Sequence, residues 1–127
     1  MIADVVVGDS PIHGRGVFAT RRFEAGDVII EGCRRKLSDA AVTALPADER
    51  NFVSVIDGEH ILMEAPSRFV NHSCSPNARG TGLQDVATRV IDAGEEITVD
   101  YVVEQVPGLR LRCNCGGQNC RGVLVTG

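Results

Sequence analysis

The sequence predicts a mainly β domain with little helix, and three observations support this prediction. Short apolar runs alternate along the chain with Gly, Asp and Pro, as expected where short strands are joined by tight turns. Two of these runs flank Asp57-Gly58, a residue pair favoured in two-residue hairpin turns. Only one short segment carries helix start and stop signals. With 127 residues, 43% of them hydrophobic, the chain is long enough for one domain with its own core.

The candidate strands are runs of β-branched and apolar residues that lie between turn residues. In chain order they are Asp4–Val7, Gly16–Thr20, Val28–Glu31, Phe52–Ile56, His60–Met63, Asp85–Val90 and Glu96–Tyr101. The fourth and fifth form the predicted hairpin. The single helix is predicted over Asp39–Leu45, because Ser38 can cap its start and Pro46 ends it.

Two segments of the chain resemble each other. Phe23–Ile29 and Ile91–Ile97 both place an acidic residue, Ala and Gly in a turn that leads into an apolar strand. No third copy occurs, so a repeat architecture is not indicated. We interpret the similarity as the same turn chemistry used twice.

Charge and hydropathy exclude some classes of protein. The net charge of −4 disfavours a protein that binds the nucleic acid backbone, because such proteins need a basic face. No stretch approaches the roughly 20 apolar residues of a membrane helix, and the N-terminus lacks the basic flank and apolar run of a signal peptide. We therefore expect a soluble intracellular protein, cytoplasmic in a bacterium or nuclear in a eukaryote.

Three of the five cysteines form a cluster near the C-terminus. Cys113, Cys115 and Cys120 have the spacing C-x-C-x4-C, and thiolates this close favour a bound cation. Tetrahedral Zn²⁺ takes four such ligands, so a fourth must come from Cys74, from Cys33 or from a histidine. Disulfides are the alternative, but an intracellular location disfavours them.

The densest polar segment runs from Arg68 to Asn77. Asn71-His72-Ser73 matches a glycosylation sequon, which matters only in a secreted chain. Asn71, His72 and Cys74 are also the residue types of a cysteine hydrolase, but catalytic partners meet through space and rarely lie this close in sequence. Neither interpretation accounts for the whole segment.

Taken whole, this segment resembles the signature of the SET-domain protein lysine methyltransferases, Arg-Phe-x-Asn-His-Ser-Cys-x-Pro-Asn. Three further blocks match the same family in the same order: Gly14–Ala19, Gly94–Tyr101 and a post-SET pattern of three cysteines followed by Arg121-Gly122-x-Leu124. Together the blocks cover residues 12 to 124.

The resemblance implies a pseudoknotted β fold of small curved sheets with little helix. It implies a SET domain over residues 1–106 and a post-SET zinc-binding segment over residues 107–127. In this family the cysteine of the central motif completes the zinc site, so the implied ligands are Cys74, Cys113, Cys115 and Cys120. Cys33 is then left as the unpaired thiol.

The implied activity is methyl transfer from S-adenosylmethionine to a lysine side chain of a protein, with a histone or histone-like basic tail as a candidate acceptor. Tyr101 is the implied catalytic residue, because its hydroxyl should point to the line between the methyl group and the amine. The implied cofactor-binding residues are Arg15, Gly16, Arg68, Phe69, Asn71, His72, Tyr101 and Leu124.

The sequence also departs from the family pattern. Met63–Ser67 stands where relatives usually carry Gly-Asn, and the chain has one tyrosine and no tryptophan with which to wall a lysine channel. The alternative function is therefore a SET-like module that binds cofactor or peptide without turnover. A purely structural zinc module would leave Asn71, His72 and Tyr101 unexplained. The expected partner is a basic, lysine-containing protein segment, not nucleic acid or membrane, and the oligomeric state stays open, a homodimer included.

Overall fold

A computed structural model of the chain describes residues 4–31, 34–50, 52–56, 58–81, 84–104, 110–113 and 120–125. These residues form short strands with two short α-helices and one 3₁₀ turn. In chain order the elements are β1 (Val5–Asp9), β2 (Arg15–Ala19), β3 (Val28–Glu31), β4 (Arg34–Leu37), α1 (Asp39–Ala44), α2 (Ala47–Arg50), β5 (Val53–Ile56), β6 (Glu59–Met63), a 3₁₀ helix (Ser67–Phe69), β7 (Asn71–His72), β8 (Ala78–Thr81), β9 (Gln84–Ala87), β10 (Glu96–Val99), β11 (Arg110–Arg112) and β12 (Val123–Val125).

The prediction of a mainly β fold with little helix is confirmed. Each of the seven predicted strands overlaps an observed strand, and the predicted helix is α1. Ser38 caps α1 as expected, since its Oγ accepts a hydrogen bond from the backbone N–H of Ala41 at 3.1 Å. No helix in the described ranges has both the length and the apolar character needed to cross a membrane.

The predicted hairpin is also present. β5 pairs antiparallel with β6 from Val53 opposite Leu62 to Ile56 opposite Glu59. Gly58 has the positive φ of 78° that a tight turn requires, whereas Asp57 lies outside the described residues. β4 adds to the other edge of β6, so this sheet has the order β4-β6-β5.

Three further sheets complete the domain, with the orders β1-β2-β10-β7, β3-β9-β8 and β11-β12. In the largest sheet β7 and β10 run parallel, with Asn71 opposite Thr98 and His72 opposite Val99. The side chain of Asn77 fixes the path of β10, because it donates to the carbonyl of Glu96 at 2.8 Å and accepts from the N–H of Thr98 at 2.9 Å. The central motif therefore lies beside the strand that leads to the tyrosine at position 101.

The core lies between these sheets. Val17, Phe23, Ile91 and Ile97 are completely buried, and they pack with other apolar residues from β1, β3 and β10. Fully burying an aliphatic or aromatic side chain contributes about 1.5–3 kcal/mol. The core thus holds β2 and β10, which flank the site described below, in a fixed position.

The two similar segments form matching turns. In the first turn the backbone N–H of Asp27 donates to the carbonyl of Glu24, and in the second the N–H of Glu95 donates to the carbonyl of Asp92, both at 3.0 Å. The same residues form a second bond in each turn: the carboxylate of Asp27 accepts from the N–H of Glu24 at 2.8 Å, and that of Glu95 accepts from the N–H of Asp92 at 3.1 Å. The glycine of each turn has a φ near +90°, 93° in one and 91° in the other. The prediction of one turn chemistry used twice is confirmed.

These twin turns, residues 24–27 and 92–95, also form backbone hydrogen bonds with the segments that lead into each other. Phe23 and Ile91 exchange two backbone hydrogen bonds, at 2.8 and 2.9 Å. The first turn exchanges two backbone bonds with Ala87, and the second exchanges two with Ala19, all between 2.8 and 2.9 Å. Because 19 and 87, like 23 and 91, differ by 68 positions, the two segments are related by a local two-fold arrangement.

Candidate active site

Tyr101 follows β10 and is held at three points. Its hydroxyl donates a hydrogen bond to the carbonyl of Val70 at 2.5 Å, and its backbone N–H donates to Nδ1 of His72 at 3.0 Å. The ring centroids of Tyr101 and His72 are 5.3 Å apart. Burial, with the nearby charge of Glu96 as a smaller cause, raises the pKa of Tyr101 to about 12. The phenol therefore keeps its proton at neutral pH and acts as a hydrogen-bond donor, not as a base.

Tyr101 lies between two cavities, because it lines both of them. The first cavity has a volume of about 240 Å³ and combines apolar walls with charged groups. The second cavity has a volume of about 390 Å³. The first is lined by Arg34, Phe52, Ser54, Met63, Ser67, Arg68, Val70, Asp85, Val99, Tyr101 and Glu104, and the second by Ile12, His13, Asn71, His72, Tyr101, Arg112 and Cys113.

Asn71 lines the second cavity, and the orientation of its amide can be assigned. Its Nδ2 lies 2.9–3.1 Å from three acceptors, namely the carbonyls of His13 and Arg15 and the carboxylate of Glu96. These acceptors fix the orientation of the amide, since the oxygen would be repelled in that position. Among the described residues Oδ1 accepts no hydrogen bond, and it is therefore available to a ligand that donates one.

The carboxylate of Glu96 lies next to Asn71, outside the lining of the second cavity. Ser10 Oγ lies 2.8 Å from each of its oxygens. Gly16 is buried against this pair: a Cβ at this position would lie 2.9 Å from Cδ of Glu96 and 3.0 Å from Cβ of Ser10. A glycine is therefore required for the carboxylate to approach the backbone of β2 this closely.

His72 connects Tyr101 to the cysteines. Because Nδ1 accepts from the backbone N–H of Tyr101, the ring proton lies on Nε2, which is 3.2 Å from Sγ of Cys74 and donates to it. Burial lowers the pKa of His72, and the charge of Arg121 lowers it further against the opposing effect of Asp100. The imidazole is therefore neutral at neutral pH, and its two nitrogens join the backbone at residue 101 to a sulfur atom.

A group of potential metal ligands lies at the same place. The ligand atoms of His72, Cys74 and Cys113 all lie within 4.8 Å of one another, and all three residues are buried. The two sulfur atoms are 3.9 Å apart. Two thiolates bound to one tetrahedral Zn²⁺ at about 2.3 Å would be separated by about 3.8 Å. Cys120 is exposed and outside this group, with Sγ 4.0 Å from the carbonyl of Cys113, and Cys115 lies outside the described residues.

Arg121 adds two further donors to the sulfur of Cys74. Its backbone N–H is 3.3 Å from Sγ and its Nη1 is 3.6 Å away. The same guanidinium forms two bonds with Asp100, at 3.0 and 2.9 Å. Burial would raise the pKa of Asp100, but hydrogen bonds from Arg121 and from the N–H of Val102 lower it overall. N–H groups directed at the sulfur of Cys74 hold it in position, as outer-shell contacts do for metal ligands.

The structure separates the predicted cofactor-binding residues into groups. Asn71, His72 and Tyr101 line the second cavity. Arg15 and Gly16 lie next to these residues. The carbonyl of Arg15 accepts a hydrogen bond from Asn71, and Gly16 is packed against Glu96.

The other three predicted residues do not line the second cavity. Arg68 lines the first cavity, where its guanidinium bonds to Glu49 and to the carbonyl of Met63. Phe69 packs against the core. Leu124 is buried against Cys74, Cys113 and Tyr101.

Other residues of the site were not predicted. His13 and Arg112 line the second cavity, and Asp85 and Glu104 line the first. One signal for Glu104 was present in the sequence: it follows Tyr101 by three residues, the spacing at which side chains share one side of a helical turn. The others come from distant parts of the chain, and no local pattern marks them.

The comparisons with known proteins identify the family. Residues 14–102 match the family model described as the SET domain, so the chain belongs to the SET-domain family. The fold is also found in the crystal structure of a Plasmodium falciparum protein assigned as a histone methyltransferase. That structure has a TM-score of 0.61 and 17% identity, and the match covers 80% of this chain and 95% of the other.

Curated relatives are histone-lysine N-methyltransferases. Histone-lysine N-methyltransferase 2B of Homo sapiens is 33% identical over 91% of this chain, and the H3 lysine-4 specific enzyme of Schizosaccharomyces pombe is 31% identical over 92% of it. ASHR3 of Arabidopsis thaliana is 44% identical over 47% of the chain. The chain spans only 5%, 15% and 14% of the lengths of these three relatives.

Proposed function

We propose that the chain transfers a methyl group from S-adenosylmethionine to a lysine side chain of a protein, and that the acceptor is a histone or a histone-like basic tail. Membership of the SET-domain family and the similarity to histone-lysine N-methyltransferases support this proposal. The partner is then a protein segment rather than nucleic acid or membrane. The proposed division of the chain is a SET domain over residues 1–106 and a post-SET segment over residues 107–127.

The observation that carries the proposal is the position of Tyr101 between the two cavities. Methyl transfer between two bound molecules is an in-line displacement, so donor and acceptor must approach one point from opposite sides. A partly buried tyrosine that lines both cavities can orient both reactants at that point. Its hydroxyl is already fixed by the carbonyl of Val70 and needs no reorganisation when the acceptor enters.

The second cavity suits S-adenosylmethionine, which carries an ammonium group and a sulfonium. Oδ1 of Asn71 is an acceptor for an ammonium, and the carboxylate of Glu96, which lies behind Asn71 at 2.9 Å from its Nδ2, supplies a negative charge close to this cavity. Asn71, His72 and Tyr101 would hold the cofactor, with Arg15, Gly16 and Leu124 around them. When bound, the cofactor supplies an electrophilic methyl group.

The cysteine cluster suits a structural zinc ion. Cys74 and Cys113 have the sulfur separation that one Zn²⁺ requires, and Cys115 and Cys120 would complete the tetrahedron. His72 is better suited as a donor to Cys74 than as a ligand, because its Nε2 carries the proton. The ion would hold β11 and β12 against Tyr101 through Leu124, which packs on both cysteines.

The experiment for this function is incubation of the chain with labelled S-adenosylmethionine and purified core histones. We expect label on lysine, identified by mass spectrometry of the histone peptides. A reaction without the chain and one with unlabelled cofactor in excess are the controls. Cofactor binding without any label on core histones or on a lysate would favour the alternative, a module that binds without turnover.

Replacement of Asn71 by Ala should weaken cofactor binding. The change removes the amide oxygen of a residue that lines the second cavity, and a lost hydrogen bond to a charged group costs about 1–3 kcal/mol, or roughly 5- to 150-fold in Kd. Calorimetric titration with S-adenosylhomocysteine measures it. Gln84→Ala is the control, because it also removes a side-chain amide, one that bonds to Glu31 and lines neither cavity. Equal affinity of wild type and Asn71→Ala would contradict the assigned role.

A further inference from the structure

Glu104 lies on the same side of the chain as Tyr101. The segment after β10 forms a turn closed by a hydrogen bond from the N–H of Glu104 to the carbonyl of Asp100, at 2.9 Å. In such a turn side chains three residues apart point to the same side. Both Tyr101 and Glu104 accordingly line the first cavity.

The carboxylate of Glu104 is held by one of its two oxygens. Oε1 accepts a hydrogen bond from the backbone N–H of Gly80 at 2.9 Å, and among the described residues Oε2 has no hydrogen-bond partner. A Cβ at position 80 would overlap the carboxylate of Glu104 and lie 2.9 Å from the guanidinium of Arg34. The carboxylate can therefore approach β8 this closely only because residue 80 is glycine.

Three charged residues face Glu104 from the neighbouring strands: Arg34 from β4, Arg79 from β8 and Asp85 from β9. Arg34 is paired primarily with Asp85, at 2.5 Å, and lies 4.0 Å from Glu104. Asp85 is further held by the hydroxyl of Ser67 at 2.7 Å. The positive charge of Arg34 is thus largely matched by Asp85.

Arg68, the other cation that lines this cavity, is paired with Glu49 at 2.9 Å, so the charge left among the lining residues is the carboxylate of Glu104. The side chain of Glu104 is 17% exposed, and burial raises its pKa, with Asp85 adding to this effect and the Gly80 N–H, Arg34 and Arg79 opposing it. A partly buried carboxylate with one unoccupied oxygen is stabilised by a cation that enters the cavity. Phe52, Met63, Val70 and Val99 provide apolar walls for the methylene chain of such a cation.

We infer that Glu104 binds the ammonium group of the acceptor lysine in the first cavity and accepts its proton before methyl transfer. The inference rests on the proposed function, because it assigns the acceptor to this cavity. A lysine side chain has a pKa of about 10.4, so it arrives charged and cannot act as a nucleophile until it loses a proton. A base within the cavity can accept that proton.

The proton transfer balances within the cavity. An N–H bond of the ammonium breaks, the proton forms an O–H bond with Oε2 of Glu104, and the electron pair stays on nitrogen. The products are a neutral amine, which is the nucleophile, and a neutral carboxyl group. The carboxyl returns its proton to solvent when the cavity opens for product release.

The first test is binding of a small cation that represents the lysine side chain. The probe is n-butylammonium, compared with butan-1-ol, added to the full chain with S-adenosylhomocysteine and followed by NMR at the methyl groups of Met63 and Val70. We expect the cation to bind about ten-fold more tightly than the alcohol, as for a charge-assisted hydrogen bond. Glu104→Gln should abolish this preference while the glutamine oxygen keeps the bond to Gly80.

Two variants sharpen this test. Gly80→Ala should reduce the preference in the same direction, because the added methyl displaces the carboxylate without changing its charge. Glu59→Gln removes an exposed carboxylate that pairs with Lys36 and should leave the preference unchanged. A wild-type chain that does not prefer the cation, or a preference that survives in Glu104→Gln, overturns the inference.

The second test is the pH dependence of methyl transfer to core histones. The ratio of wild-type to Glu104→Gln rates should be largest near pH 7, about 10²-fold, which is the usual contribution of a general base. It should fall toward about pH 9.5, where more of the acceptor is already neutral in solution. A ratio independent of pH overturns the inference. Absence of transfer by the wild type contradicts the proposed function instead, and the binding test still decides the role of Glu104.

Discussion

Tyr101→Phe should lower the rate of methyl transfer by on the order of 10²-fold or more, and it should change cofactor affinity by less than about two-fold. The substitution removes the hydroxyl of the residue that lines both cavities and leaves the buried carbonyl of Val70 without its donor. Loss of one preorganised donor at a reacting centre has an effect of this size. Single-turnover kinetics with labelled S-adenosylmethionine would measure the rate, and calorimetry the affinity.

The control for this prediction is Val103→Ala, in the same turn. Val103 is 65% exposed, and its truncation should leave both rate and affinity near the wild-type values. If Tyr101→Phe transferred methyl groups within about three-fold of the wild-type rate, the hydroxyl would not orient the reactants. The hydroxyl of Tyr101 would then only satisfy a buried carbonyl.

Cys74→Ala should release the metal. We expect about one zinc ion per wild-type chain and about none in the variant, because the sulfur of Cys74 is central to the cluster and receives N–H groups from His72 and Arg121. Elemental analysis after dialysis measures the metal content. Hydrogen exchange should also accelerate in β11 and β12, which the ion would hold against Tyr101.

Cys33→Ala is the matched control for metal binding. The family resemblance leaves Cys33 as the unpaired thiol, so this variant should keep its full metal content. A Cys74→Ala protein with one zinc per chain would show that the fourth ligand is another residue. A Cys33→Ala protein that loses its zinc would point to Cys33 as that residue.

Sequence patterns predict the strands whose apolar residues alternate or cluster, and they miss strands that are defined by tertiary contacts. The hairpin of β5 and β6 carries its own turn signal at Asp57-Gly58. By contrast, β4 contains Arg34-Arg35-Lys36, which has no apolar pattern, and it is a strand because β6 offers it an open edge. β7 has only two residues and exists through its parallel pairing with β10.

The candidate active site likewise combines features that the sequence predicts with features that it does not. The motif resemblance predicts that Asn71 and Tyr101 meet, and they do so around the second cavity. The resemblance also implies a cofactor role for Arg68, which stays a prediction; in the structure its guanidinium bonds to Glu49 and to the backbone carbonyl of Met63. A sequence motif does not specify the direction of a long side chain, because that depends on partners supplied by distant elements.

The twin turns have a consequence for how the domain folds. Their reciprocal bonds join positions 68 residues apart, and closing a loop of that length costs about 4 kcal/mol in chain entropy beyond a constant term. Neither segment can form its full set of backbone bonds until the other is present, since each supplies the acceptors and donors of its counterpart. A chain cut anywhere between residues 28 and 86 would therefore leave two fragments, each without the partner residues of these backbone hydrogen bonds. We therefore expect the domain to fold as one cooperative unit, in which the strand that leads to Tyr101 becomes stable only when the N-terminal segment has docked.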